Sequence, residues 1–121
     1  MPSIKEIHQD EWAQFEMDKD TALVVYTTDE GSDYYLNMDN QYMLTELKGV
    51  RDQNKIALTK ARYKYSMALI GMSVESYYKN NSASNPDVDV ASSIRKISSM
   101  IAPVLIPMIE SMADLDLSEI E

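Results

Sequence analysis

Two apolar runs in the first third of the chain predict a β-hairpin. Residues 22–28 (ALVVYTT) are rich in β-branched and aromatic side chains, and residues 33–38 (DYYLNM) alternate apolar and polar positions. A turn cluster that contains a glycine, residues 29–32, lies between them. Because two strands alone are marginally stable in water, we expect one face of this hairpin, residues 21–38, to pack against helices.

Apolar positions spaced by three or four residues predict helices before and after the hairpin. Ser3 and Glu6 match a capping box at the start of a helix over about 4–16, so we expect an N-terminal helical segment in residues 1–20.

Residues 40–79 are predicted to form a short helix and then a long one. Asp39 or Asn40 caps the short helix, which ends near Gly49, and the long helix runs from about 52 to 78.

The last third of the chain divides into a polar linker (80–86), a helix (87–113) and an acidic tail (114–121) that is expected to fray. The helix carries a regular apolar stripe, and two prolines inside that stripe predict a bend near residues 99–103.

Together these elements predict a single α+β domain that is mostly helical, with one β-hairpin packed on two long helices. Gly71 lies in the apolar second half of the first long helix, where we expect it to allow close approach of a neighbouring helix. The residues expected to be buried in the core are Leu69, Ile70, Ile97 and Ile101.

Charge is distributed unevenly over the 121 residues, whose formal net charge is -9. Residues 1–40 carry a net charge of -8, residues 41–79 a net charge of +4, and residues 80–121 a net charge of -5. We expect the basic centre to face the acidic ends of the same chain, since folded domains normally intersperse their charges. The acidic total disfavours nucleic acid as a partner, because phosphates repel it.

The composition offers little for catalysis or for a cofactor. The chain has no cysteine, one histidine (His8) and three isolated glycines, so thiolate chemistry, multi-histidine metal sites and phosphate-binding glycine loops are not expected. We therefore predict no catalytic residues, no cofactor, no metal site and no enzymatic activity. Neither a secretory signal nor an apolar run of about 20 residues is present, which predicts a cytoplasmic protein without a membrane partner.

The apolar stripe of the last helix is larger than one small core requires, which is typical of an interface. The alternative, that the whole stripe lies inside the monomer, stays open at this point. The predicted interface residues are Ile101, Val104, Leu105, Met108, Ile109 and Met112.

Three segments in sequence order resemble the C-terminal region of prokaryotic ATPases of the Hsp90/histidine-kinase-like (GHKL) superfamily. They are FEMDKDTALVV, DYYLNMDNQYMLTELK with the turn Asn37-Met38-Asp39-Asn40, and LTKARYKYSMALIGMSV. The resemblance covers about residues 13–78 and leaves out the ATP-binding part of that superfamily. It implies a non-catalytic C-terminal domain, for which coupling or dimer contacts are expected.

Two functions are therefore considered. The first is a non-enzymatic interaction or oligomerisation module that binds a protein partner or a second copy of the chain. The alternative is a small acidic protein that mimics the charge of nucleic acid and inhibits a basic partner.

Overall fold

The computed structural model describes residues 3–81 and 89–113, with side chains as far as Ser111. The elements, in chain order, are β1 (Ser3–Ile7), a 3-10 helix (Gln9–Phe15), β2 (Leu23–Thr28), β3 (Gly31–Asn37), α1 (Gln41–Leu47), α2 (Gln53–Asn80) and α3 (Val90–Ala113). The predicted α+β class, mostly helical with helices packed on a small sheet, is confirmed.

The predicted hairpin is present as β2 and β3, which pair antiparallel with Val24 opposite Tyr35. Gly31 begins β3 with a φ of 133°, a backbone conformation that side chains with a Cβ rarely adopt. The glycine in residues 29–32 therefore determines where the chain turns between β2 and β3.

The prediction of an N-terminal helix over 4–16 is wrong for its first part. Residues 3–7 form β1, which adds to β3 in parallel, so the strand order of the sheet is β1-β3-β2. The capping box occurs later than predicted: the Glu11 side chain accepts from the backbone N–H of His8, and the 3-10 helix starts at Gln9. Pairing with β3 satisfies those backbone groups of 3–7 that point towards it, and the apolar residues of that segment fit a strand as well as a helix.

All three α-helices lie on one face of the sheet, where α3 packs against both β2 and α2, and α1 packs against α3. The main core fills this layer, and its large buried side chains are Leu23, Val25, Tyr34, Leu36, Met38, Met43, Tyr63, Met67, Ile94, Ile106 and Ile109. A smaller cluster on the opposite face contains Ile7, Met17 and Val24, packed against Trp12, Phe15 and Tyr35.

Leu69 was predicted to be in the core. This prediction is wrong, because Leu69 is 64% exposed. The buried positions of α2 include Thr59, Tyr63 and Met67, which repeat every four residues, and Leu69 lies on the other side of the helix. Ile70 is partly buried against the core.

On α3, Ile97 and Ile101 are partly buried rather than fully buried. Gly71 does approach a neighbour closely, but the neighbour is the sheet rather than a helix.

Side-chain caps lie at the starts of α1, α2 and α3, and those of α1 and α2 lie close to the predicted positions. Asn40 caps α1 by accepting from the Met43 N–H at 2.9 Å, and Gly49 follows the helix with a φ of 81°. Asp52 caps α2, and Asp89 accepts from the Ser92 N–H at the start of α3.

The helix α3 continues through both of its prolines, and the bend near residues 99–103 stays a prediction. Most of the predicted linker (80–86) and all of the acidic tail (114–121) lie outside the described residues.

Candidate interaction surface

The helix α2 carries a stripe of exposed apolar side chains opposite its buried side. Leu58, Tyr65, Leu69 and Met72 are separated by seven, four and three residues, which places them on one side of an α-helix. Their exposed fractions range from 37% to 64%. These four large apolar side chains therefore lie on a face of α2 that does not contribute to the core.

A second exposed stripe lies on α3. Met100, Val104 and Met108 follow one another at intervals of four residues and are 65%, 68% and 50% exposed. On another side of the same helix, the Ser98 hydroxyl lies 3.3 Å from the Leu23 backbone nitrogen, from which it accepts a hydrogen bond, so that side faces β2. The stripe is directed away from the sheet.

Two polar contacts fix the register of α2 against α3. The Thr59 hydroxyl donates to Glu110 at 2.8 Å, and the Lys55 ammonium lies 2.9 Å from the other oxygen of the same carboxylate. The start of α2 therefore lies beside the end of α3, and the helices are antiparallel. Because the helices are antiparallel, each turn forward on α2 from Thr59 lies beside a turn backward on α3 from Glu110. Leu69 is ten residues after Thr59 and Met100 is ten residues before Glu110, so the two are level with each other.

Because the sheet covers one side of both helices, their outer sides face the same direction. The two stripes then form one surface, which we name the outer helix surface. It consists of Leu58, Tyr65, Leu69, Met72, Met100, Val104 and Met108.

The two helices that form the outer helix surface carry almost no negative charge. The chain has 20 Asp and Glu residues, yet none occurs in residues 53–74 of α2 or in residues 90–109 of α3. An apolar patch without carboxylates is unusual in a chain of net charge -9. Such a patch is typical of an interaction surface.

The interface residues predicted from the sequence are only partly on this surface. Val104 and Met108 belong to it, and Ile101 and Leu105 are half-buried beneath it. Ile109 is 4% exposed and belongs to the core, so its assignment to an exposed stripe is wrong. The side chain of Met112 lies outside the described part of the structure.

The α2 half of the surface was not predicted. The signal was present, since residues 67–74 are apolar on nearly every side, but that pattern is also typical of a helix that is buried all round.

Two basic residues of α2 contact acidic residues from distant parts of the same chain, as expected from the charge pattern. Lys55 pairs with Glu110, and Lys64 lies 4.0 Å from Glu6. The hydrogen bond from Lys55 is the main reason why the pKa of Glu110 lies below its ordinary value, with further lowering from Thr59 and from the nearby Arg62 charge against the opposing effect of burial.

The turn that carries the resemblance, residues 37–40, forms a buried hydrogen-bond junction. The Asn37 side-chain oxygen accepts from the Trp12 indole at 2.9 Å, and its amide nitrogen donates to the backbone oxygens of Thr21 and Asp18. Asn40 donates to the Tyr63 hydroxyl at 2.8 Å, which in turn donates to the Asn37 backbone oxygen at 2.9 Å.

This junction joins the hairpin, the 3-10 helix and α2, and the polar atoms of its two asparagine side chains are satisfied. The presence of these asparagines is therefore explained by their structural role in the junction.

The one histidine lies at the edge of the same junction. His8 Nδ1 is 3.3 Å from Asp39 Oδ2, which also accepts from the Gln9 N–H at 2.8 Å. Aspartate orients histidine in many catalytic sites, but within the described part of the chain no hydroxyl hydrogen-bonds to the His8 side chain. The two residues hold the start of the 3-10 helix against the turn at residues 37–40.

Two further properties concern the part of the chain that the structure describes. Within residues 3–81 and 89–113, no three histidine, aspartate or glutamate side chains lie close enough together to hold a metal ion. In the same ranges, no helix combines the length and apolar character that crossing a bilayer requires.

Comparisons of the chain with protein-family models, with curated proteins and with solved structures found no match. The function is therefore argued from the chemistry of the molecule itself.

Proposed function

We propose that the chain is a non-enzymatic self-association module that pairs with a second copy through the outer helix surface. The observation that carries the proposal is the set of seven exposed apolar side chains on two adjacent helices. Each of the seven is at least 37% exposed, and exposed apolar side chains that cluster on one surface commonly mark an interface.

Charge supports a second copy as the occupant. Two chains of net charge -9 repel each other at long range, so they can approach only where negative charge is locally absent. The outer helix surface is such a place, because its two helices contain no carboxylate over residues 53–74 and 90–109. Two-fold pairing uses the same surface on both copies, and two helices from each would form a four-helix layer between two sheets.

The resemblance to the C-terminal region of GHKL ATPases is compatible with this role, since it implies a non-catalytic domain for which coupling or dimer contacts are expected. The alternative role, mimicry of nucleic-acid charge, has weaker support. Asp18 and Asp20 are exposed, but they line the same depression as Arg95 and Lys96, which interrupts the negative surface there.

The proposal is tested by the oligomeric state of matched variants. In sedimentation equilibrium, the wild-type chain should be a dimer at micromolar concentration. The double substitution Leu69→Glu with Val104→Glu places a carboxylate on each helix and should give a folded monomer, because both positions are exposed within one copy. Leu44→Glu is the control, since Leu44 is 51% exposed on α1 and lies outside the surface; this variant should remain dimeric.

A second measurement separates self-association from simple solubility changes. The melting temperature of the wild type should rise with protein concentration, whereas that of the double variant should not, because mass action stabilises only an associating protein. A wild-type chain that is monomeric at several hundred micromolar (roughly the limit for a weak dimer) would contradict the proposal.

A further inference from the structure

A groove separates β1 from α2 on the side of α2 that faces away from α3. Its volume is about 310 Å³, and it is lined by Glu6, Ala57, Lys60, Ala61, Lys64 and Tyr65. The two alanines lie four residues apart and leave the middle of the groove open, while the two lysines lie four residues apart beside them.

The strand that borders this groove has an open edge. The Ile7 backbone oxygen accepts from the Met38 N–H at 2.9 Å, so Ile7 directs its backbone groups towards β3. In a parallel ladder the direction alternates from residue to residue, and the amide groups of Ile4 and Glu6 therefore point away from the sheet. Such an edge can accept another extended strand.

The charge of the groove is positive in a chain of net charge -9. Lys60 forms no ion pair with any residue in the described ranges, and Lys64 reaches Glu6 only at 4.0 Å, with both side chains partly exposed. An ion pair of that length at the surface is weak, so both ammonium groups are available to a stronger partner.

We propose that this groove binds an extended acidic peptide, which adds to the open edge of β1 while its carboxylates pair with Lys60 and Lys64. The spacing supports this occupant. Residues four apart on a helix are separated by about 6 Å along the axis, and alternate residues of an extended strand are about 6.8 Å apart. A peptide with acidic side chains at every second position therefore presents them at the interval of the two lysines. The groove shares Tyr65 with the edge of the outer helix surface, but the inference does not rest on the proposed self-association.

The first test measures binding of a fluorescein-labelled peptide of alternating glutamate and valine by fluorescence anisotropy. A peptide of alternating lysine and valine is the matched control ligand and should bind at least about tenfold more weakly to the wild type. Affinity for the acidic peptide should fall as salt is raised, since exposed charge pairs are screened. Equal binding of both peptides would overturn the proposal.

The matched variant pair is Lys60→Glu with Lys64→Glu against Lys19→Glu with Lys79→Glu. Both doubles change the net charge equally, but only the first alters the groove; Lys19 and Lys79 are exposed elsewhere. The groove double should lose at least about tenfold in affinity and the control double less than about threefold. Equal losses would show that only long-range charge acts and would overturn the assigned groove.

Strand addition is tested separately at Glu6. Proline lacks the N–H that a bound peptide would use, and it is tolerated at strand edges, so Glu6→Pro should weaken binding while Glu6→Ala should not. Circular dichroism checks that both variants are folded, and sedimentation of every variant checks that self-association is unchanged. Equal affinity of the two Glu6 variants would exclude strand addition and refute the proposal.

Discussion

At the scale of single residues, Gly71 is a close contact between α2 and the sheet. A Cβ atom at this position would lie 2.7 Å from the Tyr34 ring and 3.0 Å from Leu23. The ring cannot move aside easily, because the Tyr34 hydroxyl donates to Glu75 at 2.5 Å, one turn further along α2. Burial, and then this hydrogen bond, raise the pKa of Tyr34, which keeps the hydroxyl protonated as a donor.

Gly71→Ala should therefore destabilise the protein, although alanine is the better helix former. Overpacking costs about 1–3 kcal/mol, and the gain in helix propensity returns about 1 kcal/mol, so we expect a net loss of up to about 2 kcal/mol in urea unfolding. In a Tyr34→Leu background the contacts with the Tyr34 ring are relieved and only Leu23 remains close, so the same substitution should destabilise less. A destabilisation of equal size in both backgrounds would show that the Tyr34 ring is not its cause.

At the scale of elements, two helices begin with caps of the same kind but in different surroundings. Asn40 at the start of α1 is fully buried and also bonds the Tyr63 hydroxyl and the Asn37 backbone oxygen. Asp52 at the start of α2 is exposed and accepts only from the first backbone N–H groups of its helix. The local sequence signal is therefore the same, and the tertiary consequences differ.

Asn40→Ala should cost about 2–3 kcal/mol of unfolding free energy, because it removes a cap and leaves the buried Tyr63 hydroxyl with one partner fewer. Asp52→Ala should cost only about 1 kcal/mol, the usual value for an exposed cap. Urea unfolding followed by the fluorescence of Trp12, the one tryptophan of the chain, measures both. Equal costs at the two positions would mean that the junction around Asn37 adds no stability.

At the scale of the whole molecule, Glu110 joins the two long helices near their ends. Its carboxylate receives the Thr59 hydroxyl and the Lys55 ammonium, and its side chain is 13% exposed. The charged form is favoured in the folded state, which is why the pKa of Glu110 is lowered.

A lowered folded-state pKa gives stability above the pKa of the unfolded chain, and that stability is lost as the pH falls through the lowered value. Glu110→Gln should therefore cost about 1–2 kcal/mol near pH 7, a range discounted for the partial exposure of Lys55. The difference from wild type should shrink below about pH 4.5, where glutamate in the unfolded chain becomes protonated. Urea midpoints at pH 7 and pH 3, at one protein concentration, give this comparison. An unchanged difference at pH 3 would assign the effect to packing instead of charge.

The amino-acid sequence by itself determined the features that depend on near neighbours. The reversal at residues 29–32 requires a glycine at the start of β3, and the cap at Asn40 is a bond to a backbone group three residues away. The extents of α2 and α3 follow from the same kind of local pattern and from polar residues at their starts. Each of these signals acts between residues that are close in sequence, so it can be recognised without knowledge of the fold.

The tertiary structure decided what depends on partners distant in the chain. Residues 3–7 are a strand because β3, about 30 positions later, pairs with the backbone groups on one side of this segment. Leu69 and Ile109 both lie in apolar helical stretches, yet one is exposed and the other buried, because the positions of the sheet and of the neighbouring helix select the buried side. A helix that is apolar on several sides does not specify which side faces the core, since burial is a property of the assembled layers.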